Sequence, residues 1–233
     1  MSDHLGSPPD PVAPAFYALR SGGWRDYVTL LHPPYTAWHL SYVAVGAAIA
    51  PDVHTDRLLW ALAAFFLALG IAAHALDELQ GRPLGTQIGS RTLVALVVVS
   101  LAGSVAIGIG AAAAWGWGLL GFVAAGAWLV PAYNLEWFGS RVHTDLGFAL
   151  AWGAFPALTG YFVEAQTIRV EAVAAATYAT ALSLAQRALS TPVREARRTR
   201  GTIDGTEPLE RALRLLSVAA PAVAVAVVLA RLT

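Results

Sequence analysis

Apolar stretches long enough to cross a lipid bilayer recur from Thr36 to the carboxyl end of the chain, and they leave few alternatives for its fold. The hydrocarbon core is about 30 Å thick and a helix rises about 1.5 Å per residue, so a crossing needs about 20 mostly apolar residues. Seven segments meet or approach that length: 36–50, 58–76, 92–110, 114–132, 146–163, 170–189 and 213–232. The first is short unless its helix already begins at Tyr35, and the break between the third and fourth rests on Gly108, Gly110 and a run of Ala. With 57% hydrophobic and 13% charged residues, the composition excludes a disordered chain and disfavours an ordinary soluble domain. The expected fold is all-α, a polytopic membrane helical bundle.

The charge balance narrows the partners. Fifteen acidic residues offset fifteen basic ones, all of them Arg, so nothing favours nucleic acid, and the apolar runs make membrane lipid the expected partner. Without Cys, any metal must be held by His, Asp, Glu or Asn. Positive residues favour the cytoplasmic side. Placing the amino terminus there puts twelve arginines inside, and only Arg57, Arg169 and Arg231 opposite. Residues 1–30 read as a cytoplasmic tail with an interfacial stretch from Trp24, and show no signal peptide. Residues 31–233 read as one transmembrane domain with an Arg-rich cytoplasmic loop at 190–211.

Ionisable side chains near spanning helices are costly, so their convergence matters. The deduced sidedness places His39, His74, Asp77, Glu78, Tyr133, Asn134, Glu136, His143 and Asp145 at one side of the bilayer. His74, Asp77 and Glu78 stand at i, i+3 and i+4 and share a helical face, a candidate half of a metal site. Mg²⁺ would favour the oxygens, whereas iron or zinc would take His74 as well, with His39, Glu136 or His143 completing the shell. Simpler readings stand beside these. Glu78 can be a solvated helix end balanced by Arg82, His39 a hydrogen-bonded core residue, and Asp145 a helix N-cap.

Three stretches resemble the UbiA-type intramembrane prenyltransferase superfamily. His32-Pro33-Pro34-Tyr35-Thr36 is similar to that family's Arg-Pro-x-x-Thr entrance. His74-Ala75-Leu76-Asp77-Glu78, followed by Arg82-Pro83-Leu84, resembles its aspartate-rich segment. Tyr133-Asn134-Leu135-Glu136 and the segment from Gly153 through Phe155-Pro156 to Gly160-Tyr161 resemble its tyrosine loop and a Pro-containing span. Together they cover residues 31–163. The resemblance implies a UbiA-like bundle in which Asp77 and Glu78 hold Mg²⁺, Arg82 and Arg141 bind an isoprenoid diphosphate, and Tyr133 and Asn134 orient substrate for prenyl transfer to a hydrophobic acceptor. The family's second aspartate-rich motif is missing: the sixth apolar segment runs into Arg187, Pro192, Arg194 and Glu195. Arg187 and Arg194 would then help to clamp the diphosphate. Two alternatives remain. One is a membrane metalloenzyme with iron or zinc on His39, His74, Asp77, Glu78, Glu136 and His143, for redox or hydrolytic chemistry. The other is a non-catalytic lipid-binding protein.

Overall fold

The computed structural model describes residues 13–137, 141 and 143–232, and among these the secondary structure is entirely helical. Eight helices follow one another: α1 (Trp24–Leu30), α2 (Pro33–Ala48), α3 (Thr55–Leu79), α4 (Ser90–Trp115), α5 (Leu119–Asn134), α6 (Asp145–Ala165), α7 (Val170–Arg200) and α8 (Glu207–Leu232). Four of them, α3, α4, α6 and α8, are long and apolar enough to cross a membrane. The protein therefore fits an integral membrane protein.

Local sequence explains where several helices begin and end. Pro33 and Pro34 open α2, where their fixed φ suits the first turn and their missing N–H groups cost nothing. His32 just before them is left-handed (φ 45°, ψ 56°), a conformation that costs a non-glycine residue about 1–2 kcal/mol. Thr144 caps α6 by accepting from Gly147 N at 2.9 Å, so the cap is Thr144 and Asp145 occupies the first turn.

Two helix ends differ from the sequence expectation. The third apolar segment does not stop near Gly110, because the alanine run 111–114 propagates α4 to Trp115 and the chain turns at Gly116 (φ 153°). The segment 190–211 is not a loop over most of its length. α7 continues through Pro192 to Arg200, with Val193 and Ala196 buried and Arg197 paired to Glu210 of α8. Tertiary packing there outweighs the backbone hydrogen bond that Pro192 removes.

α2 packs between α6 and α8, while α7 closes on both of those helices. Small residues permit the closest approach: Gly46 lies against Ala157 O, Gly160 against Val43 O, and Gly153 against Ala179 and Ser183 of α7. α4 is peripheral and exposes Val94, Val98, Val99 and Ile109, as does α8 with Leu215, Val218, Val225 and Leu229. Such apolar faces suit lipid.

α3 and α6 each contain a widened π-helical stretch, residues 66–73 and 150–154. π turns recur at functional sites, and each of these carries a carbonyl that fixes a histidine.

Candidate functional site

Gly70 O and Trp152 O, both in the widened turns, accept from His74 Nδ1 at 3.1 Å and His39 Nδ1 at 2.9 Å. A carbonyl oxygen only accepts, so the proton of each ring sits on Nδ1 and Nε2 keeps its lone pair. His143 follows the same rule, donating from Nδ1 to Tyr133 O at 3.3 Å, with Glu136 Oε1 3.9 Å away. All three histidines face one polar chamber.

The chamber has two joined compartments. The inner one, about 270 Å³, is lined by Asp77, Tyr133, Asn134, Glu136 and His143. The outer one, about 680 Å³, reaches Tyr17, His32, Tyr35, Arg82, Gln186, Arg197 and Glu210. His39, His74, Asp77, Pro83, Phe148, Arg187 and Arg194 line both. Leu69 and Trp152 of the inner compartment also line a narrow apolar groove that runs between α3, α4, α5 and α6 as far as Trp60 and Trp115. Its volume of about 90 Å³ takes only a few methylenes, so a longer hydrocarbon chain there would lie partly against lipid.

The structure thus gathers His39, His74, Asp77, Tyr133, Asn134, Glu136, His143, Arg187 and Arg194 around one space. Asp77 makes no hydrogen bond or ion pair among the described residues. Tyr133 stacks on His143 with ring centroids 4.5 Å apart, and its buried hydroxyl has no partner among the described residues. Asn134 Nδ2 donates to Val130 O at 2.7 Å. Arg187 Nε donates to Asp145 Oδ1 at 2.8 Å while its guanidinium lies over the Phe148 ring. Arg194 has no hydrogen bond or ion pair to protein among the described residues.

Three expected site residues act differently. Glu78 is fully buried but turned away from the chamber: its carboxylate accepts from Leu84 N (3.0 Å), Thr86 N (2.8 Å) and Thr86 Oγ1 (2.8 Å). It anchors the connection between α3 and α4 instead of standing beside Asp77. Arg82 borders the outer compartment, yet its guanidinium donates to Ile88 O at 2.5 Å and Ser90 Oγ at 3.0 Å and holds the same connection. Arg141 is exposed and lines neither compartment. Among the described residues no three His, Asp or Glu side chains are grouped closely enough to hold a metal ion.

The outer roof comes from the segment expected to be a cytoplasmic tail. Pro14 to Tyr17 line it, and Arg197 donates to Ala13 O. Glu210 pairs with Arg197 and Arg214, and Arg214 in turn lies over Phe16. Tyr17 hydroxyl and His32 Nδ1 share a hydrogen bond of 2.6 Å, and His32 stacks on His74 at 4.0 Å, leaving the buried His32 Nε2 without a partner among the described residues. The one signal for His32 in the sequence is a histidine placed directly before Pro-Pro at a helix start.

Burial, then the neighbouring His74, holds the His32 imidazole well below its usual range, and burial raises the Tyr17 hydroxyl well above its own. His32 is therefore neutral when folded and takes a proton once unfolded, below about pH 6.5. The unfolded state then binds more protons, so this contribution to stability is present at neutral pH and falls as the pH drops through about 6.5. Thermal unfolding followed from pH 7.5 to 5.5 should show that decline, and His32→Gln should flatten it. An equal slope in both proteins would assign the decline to other groups.

The chain matches no family model, no curated protein and no solved structure.

Proposed function

We propose that this protein is a UbiA-like membrane enzyme that transfers a prenyl group from an isoprenoid diphosphate to a hydrophobic acceptor. In this reading the bilayer is crossed about seven times, with α2, α5 and the 170–189 part of α7 joining the four longer helices. The arginine distribution puts the amino terminus on the cytoplasmic side. The observation that carries the proposal is the junction of chamber and groove at Leu69 and Trp152. A polar, cation-lined space opening onto an apolar slot suits a molecule with an anionic head and a hydrocarbon tail.

The chemistry follows from the residues on that wall. The bond between the allylic carbon and the diphosphate oxygen breaks and its electron pair leaves with the diphosphate, whose growing charge Arg187 and Arg194 stabilise. The allylic cation faces the Asp77 carboxylate. The acceptor's nucleophilic atom bonds to that carbon and surrenders its proton to a neutral imidazole Nε2, on His74 or His39. Tyr133 and Asn134 orient the reactants, and the apolar walls around Trp152 keep water from the cation.

The divalent metal that the resemblance implies does not fit the donor set. Glu78 is committed to the α3–α4 connection, and Asp145, Glu195 and Glu210 are paired with arginines.

Purified protein incubated with prenyl diphosphates of several chain lengths should release diphosphate. Asp77→Asn should lower that rate by about 10²-fold or more, the scale of losing one preorganised electrostatic group. Wild-type protein that releases none from any donor would overturn the reading in favour of a lipid-binding role.

A further inference from the structure

We infer that the chamber binds the diphosphate group of its ligand through the protein's own donors, with Arg194 and the terminal nitrogens of Arg187 as the clamp and no divalent cation. The inference deepens the prenyl-transfer reading and rests on it for the ligand's class.

The arginines bordering the chamber are not equivalent. Arg82 is committed to backbone carbonyls and Ser90, Arg197 to Glu210 and Ala13 O, and Arg198 to Glu195. Arg187 uses only its Nε, toward Asp145. Arg194 makes no hydrogen bond or ion pair to protein among the described residues, although it borders both compartments. The two stand at i and i+7 on α7, two turns and about 10 Å apart along one face, within reach of a common anion for side chains of that length. Arginine's planar fork of N–H donors matches phosphate oxygens.

Independent groups point the same way. Tyr133 hydroxyl in the inner compartment and His32 Nε2 in the outer are buried and have no hydrogen-bond partner among the described residues. Each can donate to an anion's oxygen, His32 in the tautomer whose Nδ1 accepts from Tyr17. The carboxylates that would bring a bridging metal are otherwise engaged. Glu78 binds the α3–α4 connection, and among the described residues no three His, Asp or Glu side chains on the wall are grouped closely enough to hold a cation. Held this way, a diphosphate needs no cation to bridge it to carboxylates.

The test measures binding of inorganic diphosphate to the purified full-length protein in detergent by calorimetry, with EDTA and with added Mg²⁺. Affinity should agree within about twofold between the two conditions, and Arg194→Ala should weaken it about tenfold, which corresponds to about 1.4 kcal/mol. Arg187→Ala should weaken it too. Asp77→Asn should leave binding intact or tighten it, since it removes a negative charge. Thermal unfolding of Arg194→Ala should stay near wild type, because that side chain makes no hydrogen bond or ion pair to protein among the described residues. Binding that needs Mg²⁺ and disappears in Asp77→Asn would overturn the inference, as would no binding under either condition. The two readings fail separately. Metal-free binding without release from prenyl diphosphates leaves the clamp standing and removes the transfer reaction. Release that stops in EDTA keeps the reaction and removes the clamp.

Discussion

Glu78→Ala should destabilise the protein by about 3–5 kcal/mol, the scale expected when one partner of a buried charged network is removed. The fully buried carboxylate is the shared acceptor for Leu84 N, Thr86 N and Thr86 Oγ1. Without it, three donors lose their partner, and the α3–α4 connection loses its attachment to the helix that carries His74 and Asp77. Asp26 secures the same connection from the other side, accepting from Gln87 N at 2.9 Å. Asp26 and Arg82 hold Gln87, Ile88 and Ser90, but neither replaces the acceptor that Glu78 offers to Leu84 N and Thr86 N. Thermal unfolding in detergent is the measurement, with Asp77→Asn as the comparison. Asp77 makes no hydrogen bond or ion pair among the described residues, so its variant should unfold near the wild-type temperature. Equal losses from the two substitutions would refute the division of labour between these adjacent carboxylates.

Gly46→Ala and Gly160→Ala should each disrupt the α2–α6 contact. A Cβ on Gly46 would lie 2.0 Å from Ala157 O, and one on Gly160 would lie 2.1 Å from Val43 O. Both obstacles are backbone atoms of the opposite helix, so relief requires moving a helix rather than turning a side chain. Overpacking of this kind costs about 1–3 kcal/mol, and the rigid obstacle puts both variants at the upper end. The damage should reach the chamber, because α2 carries His39 and α6 carries the Trp152 carbonyl that fixes its ring. Diphosphate affinity should fall together with thermal stability. Gly121→Ala is the control: its Cβ meets nothing within 4 Å on the exposed side of α5, and alanine is the better helix former. Wild-type stability in Gly160→Ala would mean that the two helices stand further apart than described.

The site was legible in the sequence to the extent that sidedness and helical spacing reveal it. Placing the arginines on one side was enough to bring His39, His74, Asp77, Tyr133, Asn134, Glu136 and His143 to one end of the bundle, and all of them line the inner compartment. The same pattern could not choose between Asp77 and Glu78. Adjacent helical residues differ by about 100° in direction, and which one faces the cavity depends on what covers the other. That cover is Leu84 and Thr86, placed by the turns of the α3–α4 connection. Likewise, Arg141 and Arg187 look alike in the sequence as arginines near the ends of apolar segments, but only the second projects from a helix packed against the chamber.

What the sequence determined by itself is the run of apolar helices and the end at which their polar residues gather, because hydrocarbon leaves a backbone no partner but its own helix. The tertiary structure alone decided which carboxylate stays open, that Tyr17 and His32 roof the chamber, and that α7 runs through Pro192. Those outcomes depend on contacts between segments far apart in the chain, and such contacts leave no local period in the residues that make them.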